Sequence, residues 1–243
     1  MFNRRMSSVP TLYNAWFCPF AQRAWLALLE KGVEFTYVEQ DPYNKSPEWL
    51  AVNPRGLVPA IVHNGKLIIE STVCIEYVDE AYSTDRHLLP SDPYERAQIR
   101  LLSDHITKKV TPPYYQLLMK KGDAERAEAK KNIIESLTAL FDKDPSSDGP
   151  FFGGKSFNKV DIMLAPHAYR IRLILKHYRG FTVPNDTPEL QRFHRWLDAV
   201  VQYDTFKKTL PKEQRLIEEY KRYADDVTNS EVAQAIRKGT ALP

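Results

Sequence analysis

Val9-Pro10-Thr11-Leu12-Tyr13, followed by Cys18-Pro19-Phe20-Ala21, is the stretch whose reading decides the fold. The first run is a short β-like segment. Pro19 then opens a helical pattern, because its missing N–H costs nothing at the first helical position. Phe20, Ala24 and Leu28 recur on one face, with Ala21, Trp25 and Leu29 beside them, and Gly32 ends the pattern. Working outward, Phe35-Thr36-Tyr37-Val38 reads as a second strand and Pro47-Glu48-Trp49-Leu50 as a brief helical turn. Asn53-Pro54-Arg55-Gly56 is a turn signal and Pro59-Ala60-Ile61-Val62 a third strand. His63-Asn64-Gly65-Lys66 predicts a hairpin into Leu67-Ile68-Ile69, since Asn-Gly supplies the positive φ angles of a tight turn. Ser71 starts another helix toward Ala81. The order β-α-β-α-β-β-α implies an α/β domain built on a small mixed sheet.

Beyond a linker at residues 82–93, with Pro90 and Pro93 framing Ser91-Asp92, everything reads as helix. Ile99, Leu102, Ile106 and Val110 repeat at helical spacing, and Pro112-Pro113 is expected to break or bend that helix. Ala127, Ile134, Leu137 and Phe141 make a second stripe, and residues 144–149 read as loop. Asn158 and Asp161 stand at capping-box spacing before Ile162-Met163-Leu164. Thr187-Pro188 opens a helix carrying Phe193, Trp196, Leu197 and Val200 inward, and Pro211 opens another. From about Asp225 the chain is polar and reads as a loose tail. The resulting fold class is an α/β N-terminal thioredoxin-like domain, residues 8–84, followed by an all-α C-terminal domain, residues 94–225.

Composition narrows the function. Of 243 residues, 43% are hydrophobic and 27% charged, which suits a soluble globular protein. A formal net charge of +3, with basic residues scattered among acids, gives no basis for nucleic-acid binding. No run is long and apolar enough to span a membrane. The opening Met1-Phe2-Asn3-Arg4-Arg5-Met6 carries charge with no apolar core behind it, so it reads as a disordered start rather than a secretory signal. Two cysteines are too few for a disulfide scaffold and fit a reducing compartment, so the expected location is the cytoplasm.

The chemistry gathers at Cys18. It lies between strand and helix, at or next to the N-cap, where unpaired N–H groups and the positive helix end favour thiolate, the nucleophilic form. A dithiol oxidoreductase carries a second Cys three positions on. Here that residue is Ala21, so a mixed disulfide on Cys18 must be opened by an outside thiol. Cys74, on the apolar face of a later helix, reads as a buried, inert thiol.

Trp16-Phe17-Cys18-Pro19-Phe20-Ala21-Gln22-Arg23 resembles the active-site segment of omega-class and related cysteine-type glutathione transferases. The similarity continues through Pro47-Glu48-Trp49, Asn53-Pro54-Arg55-Gly56-Leu57-Val58-Pro59, Glu70-Ser71, Leu88-Leu89-Pro90, Phe151-Phe152-Gly153-Gly154 and the segment from Asn158 to Asp161. It covers the chain from Val9 to about Tyr223.

The resemblance implies a glutathione transferase with glutathione as co-substrate, no metal, and a homodimer. Catalysis would run through an enzyme–glutathione mixed disulfide on Cys18, as thioltransferase, dehydroascorbate reductase or deglutathionylation activity on a small electrophilic, disulfide or glutathionylated substrate. Pro59 would be cis, exposing the backbone of Val58 to the peptide of glutathione, while Glu70 and Ser71 would bind its γ-glutamyl end and Phe20 would pack beside it. Read without the resemblance, Ser71 is an ordinary N-cap and Glu70 a solvated charge. The family often carries a Lys directly before Pro-Glu-Trp for the glycine carboxylate. Here that residue is Ser46, and Lys45 is the candidate in its place. Arg170 falls where omega-like proteins put a polar residue facing the second substrate. Similar Cys-Pro-Phe segments occur in chloride intracellular channel proteins, so a non-catalytic binding protein on the same fold is the alternative.

Overall fold

A computed structural model describes residues 9–144 and 149–242. The expected disordered start and most of the expected 144–149 loop lie outside the described residues. The chain divides into two compact units, Met1–Leu88 and Leu89–Pro243, with the division inside the 82–93 segment.

The first unit holds the thioredoxin-like arrangement. Its elements are β1 (Thr11–Asn14), α1 (Pro19–Glu30), β2 (Thr36–Glu39), α2 (Pro47–Val52), β3 (Ala60–His63), β4 (Lys66–Ile69) and α3 (Ser71–Ala81). They form one four-stranded sheet in the order β2-β1-β3-β4. β1 runs parallel to β2 and antiparallel to β3, and β3 and β4 form the hairpin. Asn64 and Gly65 both take positive φ, 52° and 70°, as a two-residue hairpin turn requires. Leu12 and Ile61, paired across β1 and β3, are fully buried. α1 packs on α3. A buried ion pair ties the two together, because Lys31 at the end of α1 donates to Asp79 of α3 at 2.9 Å.

The second unit is helical: α4 (Pro93–His105), α5 (Thr111–Met119), α6 (Asp123–Phe141), α7 (Lys159–Arg170), α8 (Lys176–Arg179), α9 (Pro188–Gln202), α10 (Asp204–Lys207), α11 (Glu213–Ala224) and α12 (Glu231–Lys238). Pro112-Pro113 does not break its helix. A π-helical turn at Ile106–Val110 carries α4 straight into α5. The wider turn lets the Thr111 N–H and hydroxyl both reach the carbonyl of Ile106, while the prolines fall in the first turn of α5, where no N–H is needed.

The expected loose tail after Asp225 is instead the helix α12. Ser230 caps it, with its hydroxyl accepting from Ala233 N–H at 3.1 Å, and Ala233, Ala235 and Ile236 are buried. Arg237 donates back to Asp226 and to the carbonyl of Thr228.

The capping box at the head of α7 is complete and extends into the core. Asn158 Oδ1 accepts from Val160 N–H at 2.8 Å, and Asp161 Oδ2 accepts from Asn158 N–H at 2.9 Å. Asp161 also accepts from Phe152 and Gly153 N–H groups and from the indole of Trp196 at 2.8 Å. Phe141 packs on Phe152, Phe193 and Trp196 around it.

Candidate active site

Cys18 is the N-cap residue of α1, in extended backbone conformation with Pro19 at the first helical position. Its amide closes a turn onto the Ala15 carbonyl at 2.9 Å, and its carbonyl accepts the first helical bond from Gln22. The side chain makes no capping bond to the first turn and is half-buried. A thiol there sits at the positive end of a 12-residue helix. Cys74 is the opposite case. It is fully buried, and burial together with the charge of Glu70 pushes its thiol up to about 12.

Glu70 and Ser71 stand at the start of α3. Glu70 is its N-cap, at φ 68° and ψ 119°. A side chain with a Cβ in that region costs about 1–3 kcal/mol and persists only where its surroundings hold it. The next residue, Ser71, is buried, and its hydroxyl accepts from Arg23 of α1 at 3.3 Å. Arg23 is itself 1% exposed, and its guanidinium lies over the Phe20 ring, 5.1 Å from the centroid. Phe20, Arg23 and Ser71 therefore form one run of contacts between the helix that carries Cys18 and the helix that starts at Glu70. In the sequence, Arg23 sits in an apolar helical run, and nothing there pointed to this bridge.

Lys45 is linked to Glu70 through Arg55. Its ammonium donates to the Arg55 carbonyl at 2.9 Å, and the Arg55 guanidinium donates to Glu70 at 2.7 Å. Gly56, at φ 61°, lies under the Lys45 stem, and a Cβ there would collide with Lys45 Cδ. The turn is pinned by Asn53, which accepts from Arg55 N–H and donates to the Leu57 carbonyl. Ser46, at the position where a lysine was expected, is the N-cap of α2 and accepts from Trp49 N–H at 3.2 Å. Arg55 read only as part of a turn; its pairing with Glu70 spans 15 residues and left no local signal.

The Val58–Pro59 peptide is cis, with Pro59 buried and Val58 half-buried. Tyr13 stacks on Trp49 at 4.8 Å, a packing role at the end of β1. Phe17, next to Cys18, stacks on Tyr43 at 5.7 Å.

Arg170 differs from its expectation as a residue facing a second substrate, and it is not a surface arginine either. It is 0% exposed in the helical unit. Its guanidinium donates to the Tyr220 hydroxyl and to the Pro166 carbonyl, each at 2.7 Å, and lies over the Tyr220 ring. Burial of a guanidinium requires such partners, and here they come from core helices. Among the described residues, no group of three or more His, Cys, Asp or Glu side chains is placed to hold a metal ion, and no helix is long and apolar enough to cross a membrane.

Residues 17–81 match the family model for the glutathione S-transferase N-terminal domain, and residues 101–209 match that for the C-terminal domain. Glutathione S-transferase U19 of Arabidopsis thaliana is 36% identical over 214 residues, covering 88% of this chain and 94% of the relative. The chain belongs to the glutathione S-transferase family. Among solved structures, glutathione transferase Omega 3C from Trametes versicolor superposes with a TM-score of 0.77 at 33% identity, covering 88% of this chain and 90% of that one. A Tau class glutathione S-transferase from mango superposes at 0.81 with 28% identity, covering 89% and 99%. Likeness to these two structures is of the same order, while the sequence relatives matched, glutathione S-transferases U19 and U25 of Arabidopsis thaliana among them, are of the U (Tau) type.

Proposed function

We propose that this glutathione transferase is a cysteine-type, omega-like enzyme that works by thiol–disulfide exchange on Cys18. The observation that carries the reading is a half-buried thiol at the N-cap of α1, directly ahead of a proline, with alanine where a resolving cysteine would stand. In the first step the Cys18 thiolate attacks the glutathione sulfur of a mixed disulfide. The Cys18–glutathione bond forms, and the substrate leaves as its thiolate. A second glutathione thiolate then attacks that bond, which releases oxidised glutathione and regenerates the Cys18 thiolate. Phe20, Lys45, Val58, Pro59, Glu70 and Ser71 form the glutathione surface, and dehydroascorbate reduction or deglutathionylation are the activities it suits. A homodimer is the assembly that the resemblance implies.

The test is intact-mass analysis after incubation with oxidised glutathione. One adduct is expected, on Cys18 and removed by reductant. It should be absent in Cys18→Ser together with thiol transfer, and retained in Cys74→Ser. Full thiol-transfer activity in Cys18→Ser would overturn the mechanism, and loss of turnover in a folded Cys74→Ser would make Cys74 a resolving thiol.

A further inference from the structure

The Arg55–Glu70 ion pair joins the 53–57 turn to the head of α3. Its side chains are 46% and 47% exposed, yet it stands at 2.7 Å, and of the two residues Glu70 alone belongs to the glutathione surface proposed above. Glu70 reaches it from a strained backbone position, and Arg55 from a turn whose carbonyl also holds Lys45. An exposed pair of this kind contributes little to stability, so stability does not account for the geometry.

Its chemistry does match a ligand. The γ-glutamyl end of glutathione carries an ammonium and a carboxylate on one carbon. A guanidinium and a carboxylate in contact present the complementary charges at the complementary spacing. An amino-acid head laid against them forms a closed ring of alternating charges, with the ligand carboxylate on Arg55 and the ligand ammonium on Glu70. Ser71, the first residue of α3, follows Glu70 directly in the chain. Because Ser71 accepts from Arg23, its own proton is left to donate.

We infer that Arg55 binds the α-carboxylate of the γ-glutamyl group directly, making it a binding residue beyond those of the family surface. This rests on the reading that glutathione lies against Glu70 and Ser71. It also predicts that the Arg55–Glu70 contact is kept, rather than broken, when the ligand is bound.

Calorimetric binding of S-methylglutathione, which cannot exchange with Cys18, tests it against two analogues, one lacking the α-carboxylate and one lacking the α-amino group. Arg55→Met should weaken S-methylglutathione by roughly ten- to a hundred-fold, the range for bonds to charged groups. The analogue without the α-carboxylate should change by less than about three-fold, because its missing group is the one Arg55 holds. Arg55→Lys should recover part of the loss, keeping charge without the planar fork. If Arg55→Met weakens both ligands equally, Arg55 only positions Glu70 and the inference is overturned. If the wild-type protein does not distinguish S-methylglutathione from either analogue, the γ-glutamyl placement itself fails, and the role of Arg55 with it.

Discussion

Arg179, the last residue of α8, should be among the costliest surface-proximal residues to remove. Its guanidinium donates to the carbonyls of Leu117 at 3.2 Å, Leu118, and Ala224 at 2.6 Å, and to that of its neighbour Tyr178 at 2.9 Å. Leu117 and Leu118 lie in the last turn of α5, and Ala224 ends α11, so one cation satisfies orphan carbonyls at two negative helix ends. Three of these bonds join separate elements. A bond from a charged donor is worth about 1.5–3 kcal/mol when well buried. Arg179 is half-buried, so screening halves that, roughly. Arg179→Ala should therefore cost about 2–4 kcal/mol, read as a lowered urea midpoint by far-UV circular dichroism at unchanged slope. Arg179→Lys keeps the charge but not the fork and should recover about a third of the loss. A cost below about 1 kcal/mol for the alanine variant would refute the idea that this side chain holds α5 and α11 together.

Burial holds the Asp161 carboxyl up at about 6, against an ordinary 3.8, although four N–H donors pull it down. Folding therefore takes up a proton between those values, and stability should fall as pH rises from about 4 to about 6, by up to roughly 3 kcal/mol from this group. Asp161→Asn should flatten the urea midpoint across that window, and superimposable pH profiles would contradict the assignment. Glu70→Ala and Ser71→Ala should each weaken glutathione by about 1–3 kcal/mol in calorimetry; unchanged affinity in both would put the ligand elsewhere. Gly56→Ala should lower stability by about 1–2 kcal/mol through its left-handed φ. By displacing Lys45 it should also reduce glutathione affinity more than it reduces affinity for γ-glutamylcysteine, which lacks the glycine carboxylate; equal losses would exclude Lys45 from that carboxylate.

The first unit was legible because its signals are local and agree with one another. Pro19 at a helix start, Asn64-Gly65 at a hairpin and Ser71 at a helix head each dictate a backbone conformation within a few residues. The capping box was readable for the same reason, but the reach of Asp161 to Trp196, 35 residues away, was not. Side-chain bridges were the systematic omission. Arg23 to Ser71 and Arg55 to Glu70 join residues 48 and 15 apart and depend on how the sheet brings helices together. Arg170 was expected at a second-substrate site from the resemblance alone; its partner Tyr220 lies 50 residues on and left no local signal. α12 was missed although Ser230 and Gly239 stand at its ends, the latter at φ 65°. Its polar composition outweighed the caps, and only Ala233, Ala235 and Ile236 are buried along it.

The π-helical turn at Ile106–Val110 makes chain length a structural variable in its own right. Each residue of a regular helix advances about 100° around the axis. A turn holding one residue more than an α-helical turn thus sets the azimuth of everything after it. Removing one residue from 106–110 would let ordinary pairing close with α5 left at its present azimuth, whereas imposing ordinary pairing on the full-length turn would rotate α5 by about that angle. The buried face of Tyr114, Leu117 and Leu118 would swing toward solvent, although every one of those side chains was still present. The second such turn, Ile171–Leu175, sets in the same way the direction from which Arg179 meets its carbonyls. A single-residue deletion in either place should therefore be tolerated better than one in a neighbouring α-helical turn, where it would rotate everything after it by about 100°.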